Sequence, residues 1–151
     1  MKNRLFNTND DWTGLIIRLT VGLVILPHGA QKMLGLFGGY GFTGTMGYFT
    51  GTLNLPWLIA LMVIVIEFMG ALAIIAGFAT RIWSALTVVL MLGIIFTSHV
   101  DNGFFMNWFA NQKGEGYEYH LLVIGLSLAA ILNGAGKYSL EKVVFSTSGN
   151  R

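Results

Sequence analysis

The 151-residue sequence contains no cysteine, only two prolines and few charged residues. Without cysteine the chain forms no disulfide, no thiolate metal site, no iron–sulfur cluster and no dithiol redox couple. Charged residues make up 11% of the chain, whereas soluble domains carry roughly 25%. The formal net charge of +2 is too small to indicate a nucleic-acid partner. These shortages point away from a soluble domain.

Apolar residues dominate instead: 54% of the residues are hydrophobic and the mean hydropathy is +0.66. A helix of roughly twenty apolar residues crosses a bilayer core of about 30 Å. The sequence therefore predicts an all-α membrane protein, a four-transmembrane-helix bundle that forms a single domain over residues 1–151. The expected spans are at about residues 12–33, 56–78, 82–98 and 117–132.

The basic residues predict the orientation of this bundle. If four helices alternate in direction, nearly all of the basic residues outside the spans fall on one side, and only Lys113 falls on the other. Cytoplasmic loops carry an excess of lysine and arginine, so both termini are expected in the cytoplasm. The residues on that side are Lys2, Arg4, Arg81, Lys137, Lys142 and Arg151.

A glycine-rich, aromatic segment separates the first two spans. Residues 35–51 are too polar and too broken by glycine for a membrane span. Phe42, Met46 and Phe49 fit one face of a short helix that lies in the membrane interface. Two alternatives stay open for this segment, a flexible interfacial loop and a lid over a substrate.

Polar residues interrupt the apolar spans at two places. His28 and Lys32 end the first span, and Glu67 lies near the middle of the second. Unpaired polar groups in hydrocarbon cost several kcal/mol, so a carboxyl at this depth is protonated, paired with a cation or in contact with a hydrated cavity. We predict Glu67 and His28 as catalytic residues. The alternative is a structural ion pair of Glu67 with Arg18 or Lys32.

In the predicted topology the three histidines, His28, His99 and His120, lie at one level in the outer half of the bundle. Arg18 shares a face of the first helix with His28, although it also has the length to snorkel to the membrane surface. We assign no metal ligands. The residues expected to form a polar network around Glu67, with some lining a path to the outer surface, are Arg18, Gln31, Lys32, His99, Asp101, Asn102, Glu118 and His120.

With these motifs the chain resembles, over nearly its whole length, the DoxX family of small bacterial membrane proteins. The family is named for a subunit linked to a thiosulfate:quinone oxidoreductase. The resemblance implies a four-helix fold, a place in the bacterial cytoplasmic (inner) membrane and a link to quinone or other redox metabolism. The matching elements are Arg18, His28 to Lys32, Glu67 with Gly70 and Gly77, Thr80-Arg81, His99 to Phe105, Gly116 to Glu118, and Gly136 to Leu140.

The leading hypothesis is a quinone-binding subunit of a membrane redox system, which as an enzyme would be part of a quinone-linked oxidoreductase. Reduction of a quinone takes two electrons and two protons. A histidine is expected to hydrogen-bond a quinone carbonyl, Lys32 or Arg18 to stabilise negative charge, and Glu67 to pass a proton. The sequence has no flavin or nucleotide fingerprint, so the electrons would come from a partner or a bound haem.

Three alternatives remain open from the sequence, of which a proton-coupled transporter has little support because the four short spans carry no inverted repeats. Two of the three histidines would ligate haem b in a small electron carrier. Alternatively, the chain is a non-catalytic accessory or assembly subunit of a larger membrane complex, which its small size and glycine-bearing helix faces also fit. The expected partners are the lipid bilayer and other membrane subunits or further copies of the chain.

Overall fold

A computed structural model describes residues 8–146, which contain helices and turns but no strand. The helices are α1 (Trp12–Leu34), α2 (Gly41–Gly47), α3 (Trp57–Ala76), α4 (Thr80–Asn102), α5 (Glu118–Asn133) and α6 (Leu140–Ser146). The prediction of an all-α membrane protein is confirmed, because α1, α3 and α4 are long and apolar enough to cross a membrane. The apolar helix α5 is shorter.

Helix α1 has well-defined ends. The Asp11 side chain caps it by accepting a 2.7 Å hydrogen bond from the Gly14 N–H. That bond and a second one from the Asn133 amide hold the pKa of Asp11 below its usual range. At the other end Gly35 adopts a left-handed conformation with φ 74°, which terminates the helix.

Two glycines of α1 allow it to pack closely against α3. A Cβ atom on Gly29 would lie 2.4 Å from the backbone oxygen of Glu67, and one on Gly22 would lie 2.4 Å from the Ile75 side chain. Small residues at such positions let the backbones of membrane helices approach each other. Gly29 therefore sets the distance between α1 and the segment of α3 that carries Glu67.

We expect Gly29→Ala to destabilise the protein by about 1–3 kcal/mol, because the added methyl group overpacks the contact with the Glu67 backbone. Thermal unfolding in detergent, followed by tryptophan fluorescence, measures this change. Gly125→Ala in α5 is the matched control, since a Cβ there meets no atom within 4 Å. Equal unfolding temperatures for the two variants would contradict the proposed close contact.

The bundle has two ends that differ in their contacts. At one end, here called the terminal end, residues 8–11 meet residues 133–141, and the Lys137 N–H donates to the Asp11 carbonyl at 3.0 Å. The opposite end, here called the loop end, contains residues 103–117 between α4 and α5. Arg81 Nε donates to the Ile131 carbonyl at 2.8 Å at the terminal end, and His99 contacts His120 at the loop end. Helices α4 and α5 therefore run antiparallel.

The segment between α1 and α3 is helical. It comprises a 3-10 turn at Leu36–Gly38, then α2, then a π-helical turn at Tyr48–Thr52. Met46 is 7% exposed and packs against Ala60 and Ile64 of α3. Of the alternatives for this segment, the structure thus has a short helix held against the bundle.

The orientation of the bundle rests on residues that the structure describes only in part. Lys2, Arg4 and Arg151 lie outside the described residues. Cytoplasmic termini and a single domain over residues 1–151 therefore stay predictions from the sequence.

Candidate functional site

An ion pair joins α1 to α3 inside the bundle. Lys32 Nζ lies 2.5 Å from Glu67 Oε2, and the two side chains are 24% and 4% exposed. Lys32 stands in the last turn of α1, and Glu67 belongs to a π-helical turn of α3, Ile66–Gly70. Of the pairings open from the sequence, the structure selects Lys32 and excludes Arg18. Because the carboxylate is almost fully buried, loss of this cation would leave it without a partner of opposite charge.

The ion pair forms part of the wall of a groove between α3 and α4, with a volume of about 510 Å³. Lys32 and Glu67 are the charged residues of its lining, and most of the remaining wall is apolar. Tyr48 and Phe49 contribute to the wall from the segment after α2. The main apolar wall residues are Ile59, Met62 and Ile66 of α3 and Leu86, Val89 and Leu90 of α4.

Each of the three π-helical turns within residues 8–146 contributes to this groove. Tyr48–Thr52 supplies Tyr48 and Phe49, Ile66–Gly70 supplies Glu67, and the third turn, Ile95–His99 in α4, supplies Thr97 and Ser98. A π-helical turn inserts one extra residue into a helix and is frequent at functional sites. Three separate helical segments thus adopt π-helical hydrogen bonding where they line the groove.

The three histidines lie in a series of aromatic rings beside the groove rather than in its wall. His28 of α1 is 6.2 Å from Tyr119 of α5 between ring centroids, and Tyr119 is 5.3 Å from His120. His120 is in turn 4.5 Å from His99 of α4. The predicted convergence of the histidines therefore occurs, and Tyr119 joins them.

This ring series contains two buried polar atoms without a partner in the described residues. They are the hydroxyl of Tyr119 and Nδ1 of His120, whose side chain is 6% exposed. The Nδ1 atom of His99 lies 2.6 Å from the Glu115 carbonyl oxygen. Since a carbonyl only accepts, this nitrogen carries the hydrogen.

Other predicted network residues organise the loop end rather than the groove. The Gln31 amide donates to the Phe37 carbonyl at 3.2 Å, and the Asn102 amide donates to the Glu115 carbonyl at 3.1 Å. Glu118 accepts a hydrogen bond from the Met106 N–H at 3.1 Å. Asp101 is exposed at this end. Three of these four residues thus hold connections at the loop end, and none of the four lines the groove.

Arg18 lies apart from the other candidates, at the terminal end. Arg18 is 2% exposed, and its guanidinium donates to the carbonyls of Ala135, Lys137 and Tyr138 at 2.8, 3.0 and 2.9 Å, and also to the carbonyl of Ile75. All of these acceptors are backbone atoms that lie at or after the ends of helices. The geometry therefore gives Arg18 a clamping function and separates it from Lys32 and Glu67.

Sequence reasoning missed several residues of the site. Thr97, Ser98 and Tyr48 line the groove, but their importance depends on π-helical turns that no pattern in the sequence signals. Tyr119 carried a signal, because it directly precedes His120 at the polar start of α5.

Comparisons with known proteins identify a family and two relatives. A family model described as DoxX matches residues 14–100, a range that includes every residue of the groove wall. A Bacillus subtilis (strain 168) protein named "Putative oxidoreductase CatD" is 29% identical over 136 residues, which is 90% of each chain. An Escherichia coli (strain K12) protein named "Inner membrane protein YqjF" is 26% identical over 130 residues, 86% of this chain and 90% of that protein. No solved structure gives a significant match.

Proposed function

The chain belongs to the DoxX family of membrane proteins, and we propose that it is a quinone-binding subunit of a redox system in the bacterial cytoplasmic membrane. The observation that carries this proposal is an apolar groove with the Lys32–Glu67 pair in its wall. The names of two relatives, "Putative oxidoreductase CatD" and "Inner membrane protein YqjF", support the redox link and the location. In this proposal α5 is the fourth span and both termini are cytoplasmic.

The ion pair offers what a quinone headgroup requires. The Lys32 ammonium has three N–H donors, of which Glu67 accepts one, so the others are able to reach a carbonyl oxygen in the groove. Glu67 is the protonatable group at the same place. A bound quinone would supply the redox chemistry, taking up two electrons and two protons on reduction to quinol. We assign the supply of electrons to a partner subunit.

The shape of the groove favours a ligand that arrives from the lipid. Its wall includes Val89, Ile59 and Met62, which are 67%, 48% and 42% exposed on the outer surface of the bundle. Exposed apolar residues on membrane helices face lipid tails. An isoprenoid tail would therefore leave the groove sideways between α3 and α4, while the headgroup stays at Lys32.

The histidine geometry argues against haem b. The two axial ligands of a haem lie on opposite faces of the porphyrin, so their rings do not contact each other. His99 and His120 are 4.5 Å apart between ring centroids, and His28 faces Tyr119 instead of a second histidine. These positions do not fit a bis-histidine haem site, and the proposed function gives haem no part.

Filling the groove at Gly93 tests the proposal directly. Gly93 belongs to the groove wall, and a Cβ atom there meets nothing within 4 Å, so Gly93→Phe places a ring into the cavity without a backbone clash. We expect the dissociation constant for a long-chain quinone, measured with purified protein in lipid nanodiscs, to rise by about tenfold or more, a loss of about 1.4 kcal/mol or more, because the ring takes the space of the headgroup.

The matched control is Gly125→Phe on α5, where a Cβ is equally unobstructed but lies outside the groove. This variant should bind quinone like the wild type. Wild-type protein that shows no saturable quinone binding would reject the proposal. The remaining alternative is then a non-catalytic accessory subunit, in which the Lys32–Glu67 pair only holds α1 against α3.

A further inference from the structure

We propose that Tyr119, His120 and His99 form a proton path between Glu67 and the aqueous surface at the loop end. The purpose of this path rests on the proposed function, because reduction of a quinone would consume two protons at the groove. The path itself is a property of the folded chain and exists without any ligand. Four observations carry it.

The first observation is the continuity of the rings. Three contacts with centroid distances of 6.2, 5.3 and 4.5 Å connect His28, Tyr119, His120 and His99 in that order. His28 stands four residues before Lys32, the ion-pair partner of Glu67, and so lies on the same side of α1. The series thus begins about one helical turn from the Lys32–Glu67 pair and ends at α4.

The second observation concerns the two unpartnered atoms within this series. Buried hydroxyl groups and ring nitrogens are almost always hydrogen-bonded, either to protein or to ordered water. The Tyr119 hydroxyl and His120 Nδ1 have no partner among the described residues, and both are able to accept and donate a proton. Water molecules that bridge them would complete a hydrogen-bonded chain towards Glu67.

The third observation is that His99 is held in one tautomer. Its Nδ1–H donates to the Glu115 carbonyl, which leaves Nε2 as the nitrogen that exchanges a proton. The fourth observation is that His99 is half-buried while Glu115 and Asp101 are exposed, so the series reaches the surface here. The Asn102 amide also bonds the Glu115 carbonyl and fixes this exit.

Each helix that packs against the path contributes charged or titratable groups. His28 and Lys32 face it from α1, Glu67 from α3 and His99 from α4, while Tyr119 and His120 belong to α5. The loop end adds Glu118, which is engaged by the Met106 N–H. Lys32 is the cation paired with Glu67.

The exchange rate of the Glu67 proton tests the path without any turnover. In Lys32→Met the buried carboxyl has lost its cation and takes up a proton, which gives a carboxylic acid band in the infrared. The band is assigned by its loss in Lys32→Met/Glu67→Gln. The full chain in nanodiscs is transferred from H₂O to D₂O, and the shift of this band is followed in time. If Lys32→Met does not accumulate in the membrane, the same exchange is measured on Lys32→Gln.

Adding Tyr119→Phe or His120→Leu to this background should slow the exchange by roughly tenfold to a hundredfold, the scale of loss when a positioned proton-transfer group is removed. Tyr117→Phe is the matched control, because Tyr117 packs on Phe104 outside the ring series, and it should leave the rate unchanged. Unchanged rates in both Tyr119→Phe and His120→Leu would overturn the path.

The quinone affinity of Tyr119→Phe and His120→Leu, each with Lys32 intact, separates this inference from the proposed function. Neither residue lines the groove, so both variants should bind quinone with the wild-type dissociation constant. Slow exchange together with normal binding supports the path. Normal exchange with normal binding rejects the path and leaves the quinone site in place, whereas absence of binding in the wild type rejects the quinone site alone.

Discussion

Replacing Lys32 and Glu67 together, in the variant Lys32→Met/Glu67→Leu, is expected to leave a stably folded membrane protein that no longer binds quinone. Apolar residues of similar volume often replace a buried ion pair without loss of stability, because they avoid the cost of desolvating two charges. The groove keeps its shape in this variant. It loses only the donor and the protonatable group that a quinone headgroup requires.

The single substitutions should behave differently from the pair. Lys32→Met leaves an almost fully buried carboxylate without its cation, which costs about 3–5 kcal/mol as long as the group stays charged. Glu67→Gln leaves Lys32, which is 24% exposed and has the length to turn towards water. Glu67→Gln is therefore expected to accumulate better than Lys32→Met, while both lose quinone-dependent activity in the native complex.

Two measurements on the same preparations decide this prediction. Thermal unfolding in detergent reports the stability of each variant, and quinone titration in nanodiscs reports the dissociation constant. Wild-type affinity in the doubly substituted variant would mean that the ion pair has no part in binding. A doubly substituted variant that fails to fold would instead assign the pair a structural function that apolar packing does not replace.

The sequence predicted the elements that depend on composition and local pattern. The first three spans begin and end within a few residues of the observed helices, since their ends carry an aspartate cap, a proline and glycines. The buried carboxylate and its need for a cation also followed from the sequence, because a charge at mid-membrane depth is costly wherever it stands. The structure was needed only to identify this cation as Lys32.

The arrangement of the site depends on backbone detail that the sequence does not signal. Glu67 and Ser98 face one groove because each belongs to a π-helical turn, which shifts the register of the following side chains. An ideal helix places Arg18 and Lys32 about 40° apart around α1, so helical spacing grouped them together. Along the axis they are about 21 Å apart. That separation assigns them to different ends of the bundle.

The position of Arg18 explains how the terminal end stays closed. Residues 134–141 cross the terminal end of the bundle. The carbonyls of residues 135, 137 and 138 accept hydrogen bonds from the Arg18 guanidinium. The Glu141 side chain continues this closure by accepting a 2.6 Å hydrogen bond from the Thr80 N–H at the start of α4. Gly77, with φ 69°, leaves room for Ser139, because a Cβ there would lie 2.5 Å from the Ser139 side chain. One buried cation thus ties α1, α3 and the C-terminal segment together.

We expect Arg18→Leu to destabilise the protein by about 3 kcal/mol or more, because several buried carbonyls lose a charged donor at once. Arg18→Lys should give little rescue, since an ammonium group does not reproduce the planar fork that spans these acceptors. Thermal unfolding in detergent measures the loss. Lys142→Ala, which removes an exposed ion pair with Asp10, is the control and should change the unfolding temperature little.

The quinone affinity of the Arg18 variants shows whether Arg18 acts as a structural clamp at the terminal end or belongs to the quinone site. Arg18 does not line the groove, so the fraction of Arg18→Leu that remains folded should bind quinone with the wild-type dissociation constant. An unchanged unfolding temperature combined with lost binding would contradict the clamp and return Arg18 to the quinone site. Stability lost with affinity retained would instead show that the chain uses Arg18 and Lys32 separately, Arg18 to close the terminal end and Lys32 to serve the groove.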